Sequence, residues 1–110
     1  MPHAELRYSD DLKIDAVGLL RDIEATILRH DTGAGACKGR AYPAALFHHS
    51  HMLATVSLLA KPHRNTAFIA ALSASLEQTI KAAIPQSCFF SLDIQFGAQT
   101  YVTNRHDVPE

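Results

Sequence analysis

Six stretches of the chain space their apolar residues regularly, and the spacing alternates between the period of a strand and that of a helix. From His3 to Tyr8 it is two: Ala4, Leu6 and Tyr8 fall on one side and His3, Glu5 and Arg7 on the other, which predicts a strand. Ser9-Asp10-Asp11 breaks the alternation. Asp15 is placed to cap a helix running to about His30, with Ala16, Leu19, Leu20, Ile23 and Ile27 forming one apolar stripe. Asp31-Thr32-Gly33-Ala34-Gly35 has the chemistry of a helix stop and turn. Ala36 to Ala44 reads as a strand at or near a sheet edge, because Gly39 and Pro43 suit an edge better than a centre; Lys38, Arg40 and Tyr42 share one of its faces. A loop follows, carrying His48 and His49, with His51 just beyond. Met52 to Ala60 alternates with apolar residues on both sides, Met52, Ala54, Val56 and Leu58 against Leu53 and Leu59, as a central strand covered on both faces would. After the connection Lys61-Pro62-His63-Arg64, Asn65 caps a second helix to about Ala83. Its stripe is Phe68, Ile69, Leu72, Leu76, Ile80 and Ala83, and Pro85 stops it. Cys88 to Phe96 alternates Phe90, Leu92, Ile94 and Phe96 against Ser91, Asp93 and Gln95, the clearest strand in the chain. The polar tail has room for a short extra strand at Thr100 to Thr103.

The order is β-α-β twice over. It predicts one α+β domain over residues 1–110: a first unit at 1–45, a second at 46–97 and a tail at 98–110. Right-handed crossovers make each unit a parallel strand pair and put both helices on one face of a four-stranded mixed sheet. The other face is left bare. The apolar residues on both sides of Met52–Ala60 then call for its burial by further copies of the chain.

A chain of 110 residues fits one domain, and its 47% hydrophobic content is ordinary. The formal charge of -1 and the absence of a basic run argue against a nucleic-acid partner. No apolar stretch is long enough to span a bilayer, so no membrane partner is expected. Glu5, Asp10 and Asp11 interrupt any leader pattern, and a cytoplasmic location is the expectation. Cys37 and Cys88 form no CxxC pair and read as free thiols. His48, His49 and His51 resemble a metal tract, but no third fixed ligand is evident; a loop or subunit-interface cluster is the preferred reading, and no metal or other cofactor is expected. Cys37 beside Lys38 reads as a buried small residue rather than an activated thiol.

The remaining chemistry lies at Met1-Pro2-His3. Removal of Met1 would leave Pro2 as a free secondary amine mounted on the start of a strand. An α-amine titrates at about 7.7–8.0, so a modest downward shift makes it a base near neutrality. With Met1 in place, the Pro2 nitrogen is an amide without a basic lone pair. Arg40 and Lys38, about 6.6 Å apart along one strand face, have the charge to bind carboxylates and to stabilise a dienolate. Without the proline they would read as a solvated strand face, and an arginine near a helix start, as at Arg64, is commonly a surface residue.

The opening Met-Pro-His, the doubled β-α-β order and the basic residues of Cys37-Lys38-Gly39-Arg40-Ala41-Tyr42 resemble the tautomerase superfamily. Within it the likeness is greatest to the 5-carboxymethyl-2-hydroxymuconate isomerases. It covers nearly the whole chain and is most specific at the amino end. The resemblance implies a homotrimer and an enzyme of aromatic-compound catabolism, without a cofactor. Its implied reaction is keto–enol tautomerisation of a small unsaturated 2-hydroxy dicarboxylate, with the N-terminal proline as general base and then acid. It carries the catalytic role to Pro2 and substrate binding to Arg40, Lys38 and Arg64. Two departures stand out: Lys38 replaces an arginine and cannot make a bidentate fork, and Arg7 stands where an acidic residue is common. The competing reading is a non-catalytic oligomeric binding or structural protein of the same fold.

Overall fold

The structure, a computed structural model, describes residues 1–97 and 100–109. Its elements follow the expected order: β1 (His3–Ser9), α1 (Ala16–His30), β2 (Lys38–Ala44), β3 (His51–Leu59), α2 (Thr66–Ala82) and β4 (Phe89–Gly97). The strands form one sheet in the order β2-β1-β3-β4. β1 pairs parallel with β2 and β3 parallel with β4, while β1 and β3 meet antiparallel at the centre. This is the α+β arrangement of two β-α-β units, with both helices packed on one face of a mixed sheet.

Both helices start where the sequence caps them. Asp15 accepts from the Gly18 amide at 3.0 Å and Asn65 from the Phe68 amide at 3.0 Å; each such cap contributes about 1 kcal/mol. The helix-facing side of the sheet presents Ala4, Leu6 and Tyr8 from β1 and Met52, Ala54, Val56 and Leu58 from β3. They are buried against Leu19, Ile23 and Ile27 of α1 and Leu72, Leu76 and Ile80 of α2. Each large aliphatic side chain buried there stabilises the fold by roughly 1.5–3 kcal/mol. A polar seam joins the helices: Thr26 to Thr79 and His30 to Ser75, each at 2.8 Å. β2 lies so close to α1 that a Cβ on Gly39 would sit 2.9 Å from Leu20, which explains a glycine inside a strand.

β3 is central, and its second face, where Leu53 and Leu59 alternate with His51, Thr55 and Ser57, is open in the single chain as expected. With His3, Glu5, Arg7, Lys38 and Arg40 beside it, the uncovered face is largely polar. The extra strand does not form: Tyr101, Val102 and Thr103 are in no strand, and the Tyr101 ring lies against Gly97. β-propensity without a partner strand does not make a sheet. The expected tail spans 98–110, of which residues 98, 99 and 110 lie outside the described residues. Among the described residues no helix is long and apolar enough to cross a membrane.

Candidate functional site

The pairing of the strands gathers one end of the sheet around the chain's beginning. β1 and β2 are parallel, so their first residues, His3 and Lys38, stand opposite each other, and the Lys38 amide donates to the Pro2 carbonyl at 3.0 Å. β3 runs antiparallel to β1 and finishes at this end, with His3 opposite Ser57. The turn that follows β3 therefore brings Lys61 and Arg64 to the same place.

The Pro2 ring is fully buried. The terminal amine, borne by Met1, is held below its ordinary value of 8.0, first by burial and then by the charges of Lys61, Lys38 and Arg64. Both causes disfavour the ammonium form. Lys38 directs its ammonium onto the Met1 sulfur at 2.6 Å and the Ala36 carbonyl at 3.0 Å. Arg40 donates to Glu5 at 2.8 Å through Nε, and its Nη1 lies 3.3 Å from His3 Nδ1. Arginine can only donate, so His3 accepts there and is neutral in this contact. Burial, followed by Arg40 and Lys38, lowers the pKa of His3 from 6.5.

Of the residues singled out in the sequence, Pro2 thus sits just before β1 beside Lys38 at the start of β2, and Arg40, two residues along β2, reaches His3 and Glu5. Arg64 reaches the cluster differently. Its side chain is only 3% exposed, against the usual surface habit of arginine. Nε and Nη2 donate to Asp31 Oδ2 at 2.9 and 2.7 Å, and Nη1 donates to the Leu59 carbonyl at 2.6 Å. Its charge acts on the amine while its donors are engaged elsewhere.

In the sequence Lys61 is only part of a connection. Its signal was topological: an antiparallel β1–β3 pair ends β3 beside the amino end, and Lys61 is two residues past Leu59. Asp31, read only as a helix stop, is likewise the hub of the contacts made by Arg64.

The other motifs lie elsewhere. The His48 and His49 rings pack at a 35° tilt with centroids 4.1 Å apart, the His49 ring meets Phe89 edge-on at 5.6 Å, and His51 Nδ1 lies 3.0 Å from the His49 carbonyl oxygen. This group sits at the far end of the sheet, beside a cleft of about 350 Å³ lined by His49, Ser50, Ser87, Cys88 and Phe89. Among the described residues no three His, Cys, Asp or Glu side chains are grouped to hold a metal ion. Burial and the nearby Glu24 push the Cys37 thiol up to about 11, so it is an inert packing group.

No protein-family model and no curated protein matches the chain. Solved structures do. A 5-carboxymethyl-2-hydroxymuconate delta-isomerase matches with a TM-score of 0.72 and 20% identity, over 96% of this chain and 89% of that one. A 5-carboxymethyl-2-hydroxymuconate isomerase from Deinococcus radiodurans R1 gives 0.72 and 18%, over 96% and 90%. A fused 4-OT described as a symmetric trimer gives 0.70 and 16%, over 96% and 94%. At these identities the likeness is one of fold.

Proposed function

We propose that this protein, once Met1 is removed, is an isomerase of the keto–enol tautomerase type. Its substrate would be a small unsaturated 2-hydroxy dicarboxylate such as 5-carboxymethyl-2-hydroxymuconate. The observation that carries the reading is the terminal amine, lowered from 8.0 by burial and by Lys61, Lys38 and Arg64. That setting favours the neutral form of an amine placed there, and a neutral amine can take a proton and return it. The Pro2 nitrogen removes the proton of the 2-hydroxyl, electron density moves along the diene, and the prolinium returns the proton to carbon to give the conjugated ketone. Lys38, Lys61 and Arg40 bind the two carboxylates, and Arg64 adds its charge from behind. These cations stabilise the dienolate that forms between the two proton transfers.

The same proposal includes a homo-oligomer, a trimer by analogy with the fused 4-OT, formed on the face of the sheet the helices leave open. It also includes a cytoplasmic role in the breakdown of aromatic compounds. One observation favours the second reading, a non-catalytic oligomeric binding protein: Met1, if kept, makes the Pro2 nitrogen an amide and holds Lys38 on its sulfur.

The deciding experiment follows the ultraviolet absorbance of 2-hydroxymuconate-type dienols with protein whose intact mass proves that Met1 is gone. A rate well above buffer that collapses when Met1 is retained supports the enzyme. No rate, or a rate indifferent to Met1, leaves the binding reading in its place.

A further inference from the structure

We propose that Asp31 is a positioning residue for this site: its carboxylate locks the turn between β3 and α2 and so holds the Lys61 ammonium beside the N-terminal amine. The inference rests on reading this end of the sheet as the working site.

Asp31 caps the C-terminal end of α1, its amide bonded to the Ile27 carbonyl at 2.9 Å. A carboxylate at that end of a helix faces the negative pole of the macrodipole and gains nothing from it. Its partners lie across the molecule instead. Oδ2 accepts from His63 Nε2 at 2.9 Å and from Arg64 Nε and Nη2 at 2.9 and 2.7 Å, while Oδ1 accepts from the Gly33 amide at 3.2 Å. The Asp31 side chain is 11% exposed. These hydrogen bonds, the one from His63 foremost, hold its pKa at about 2 against the opposing effect of burial.

The same guanidinium closes the turn. Arg64 Nη1 donates to Leu59 O, the last residue of β3, and the Arg64 amide donates to Lys61 O at 3.0 Å. A buried guanidinium without its counter-charge must move to water, and that movement opens both contacts. Lys61 rides on this turn. Its charge is the largest single charge effect on the amine, ahead of Lys38 from β2 and of Arg64. His3 of β1 is a further ionisable neighbour, its own pKa lowered first by burial and then by Arg40, Lys38 and the amine. Asp31 touches neither the amine nor a bound molecule and acts through Arg64 and Lys61.

The test reads the amine directly and needs no turnover, so it can fail while the tautomerase reading stands, and the reverse. In protein lacking Met1 and labelled with ¹⁵N-proline, the Pro2 amine is titrated by NMR in the wild type, Lys61→Met, Asp31→Ala and the double variant. Lys61→Met removes a repelling charge at an exposed position and should raise the amine pKa by about half a pH unit. Asp31→Ala should raise it as well, because Lys61 drifts away, and the double variant should add nothing to Lys61→Met. Electrostatics without positioning gives the opposite sign, since deleting a carboxylate lowers an amine's pKa or leaves it unchanged. A fall or no change in Asp31→Ala overturns the proposal. So does an unshifted Lys61→Met. Should Asp31→Ala not fold, Asp31→Asn is read by the same signs, because a neutral oxygen no longer pairs with the buried guanidinium.

Discussion

The two β-α-β halves build the same backbone frame at opposite ends of one sheet. In the first, the Lys38 amide donates to Pro2 O at 3.0 Å; in the second, the Phe89 amide donates to Ser50 O at 3.0 Å. The frames map Pro2 onto Ser50, His3 onto His51, Lys38 onto Phe89 and Arg40 onto Ser91. What fills them differs. The first holds a chain terminus among four cations, two of them neutralised by Glu5 and Asp31. The second holds an internal peptide bond, a pair of packed histidine rings and a Phe89 that is 68% exposed. The frame alone therefore supplies no chemistry; a chain end and a set of charges do.

The largest contrast to break is the chain end itself. One residue added before Pro2 should lower turnover by about 10²–10⁴-fold, the contribution of a general acid–base, while circular dichroism stays unchanged. An equal rate from the extended protein would remove the proline from the mechanism.

Stability comes next. Asp31→Ala removes the counter-charge of a buried guanidinium and opens the turn it holds, and should cost about 3 kcal/mol in urea melts, against less than about 0.5 kcal/mol for His48→Ala at the other end. The Asp31 carboxyl is depressed from 3.8 to about 2 in the fold. Its contribution is therefore complete above about pH 4 and lost as pH falls from there towards 2. Melts of the wild type and Asp31→Asn should converge across that window.

Single cations should matter less. Arg40 is 43% exposed and shared with Glu5, so Arg40→Ala should cost about tenfold in kcat/KM for a dicarboxylate, on the order of 1.4 kcal/mol. Lys61→Met should cost a similar amount, mostly in KM; a monoacid substrate insensitive to both would locate the second carboxylate.

The smallest effect lies in the second frame. His49 has a φ of 66°, in the left-handed region. His49→Gly should stabilise the chain by about 0.5 kcal/mol, the relief of strain less the lost ring contacts. A destabilised variant would give those contacts the larger share.

The sequence made the elements legible because their signals are local. Asp15 and Asn65 announce helix starts, and the alternation at Cys88–Phe96 needs no neighbour to be read. Pro2, Lys38 and Arg40 were legible too, being a chain end and a strand face. Lys61 and Asp31 were not. Their roles depend on which strand lies beside which, and residues 31 and 64 meet only once α1, β3 and the turn are assembled. The polarity of the open sheet face was hidden in the same way, since it depends on β1 and β2 standing beside β3.

The two outer strands also give the sheet a direction of growth. In β2 the Lys38 amide points inward to Pro2 O, so by alternation Gly39, Ala41 and Pro43 face outward, and proline has no N–H to offer. In β4 the Phe89 amide points inward to Ser50 O, which leaves the amides of Phe90, Leu92, Ile94 and Phe96 along the outer rim. A foreign strand finds a nearly complete rail on β4, and on β2 a gapped one flanked by Lys38 and Arg40. Such guarding is a known defence against edge-to-edge aggregation. Among the described residues the guarded rim is that of β2, so chains that extend this sheet would do so from the β4 side.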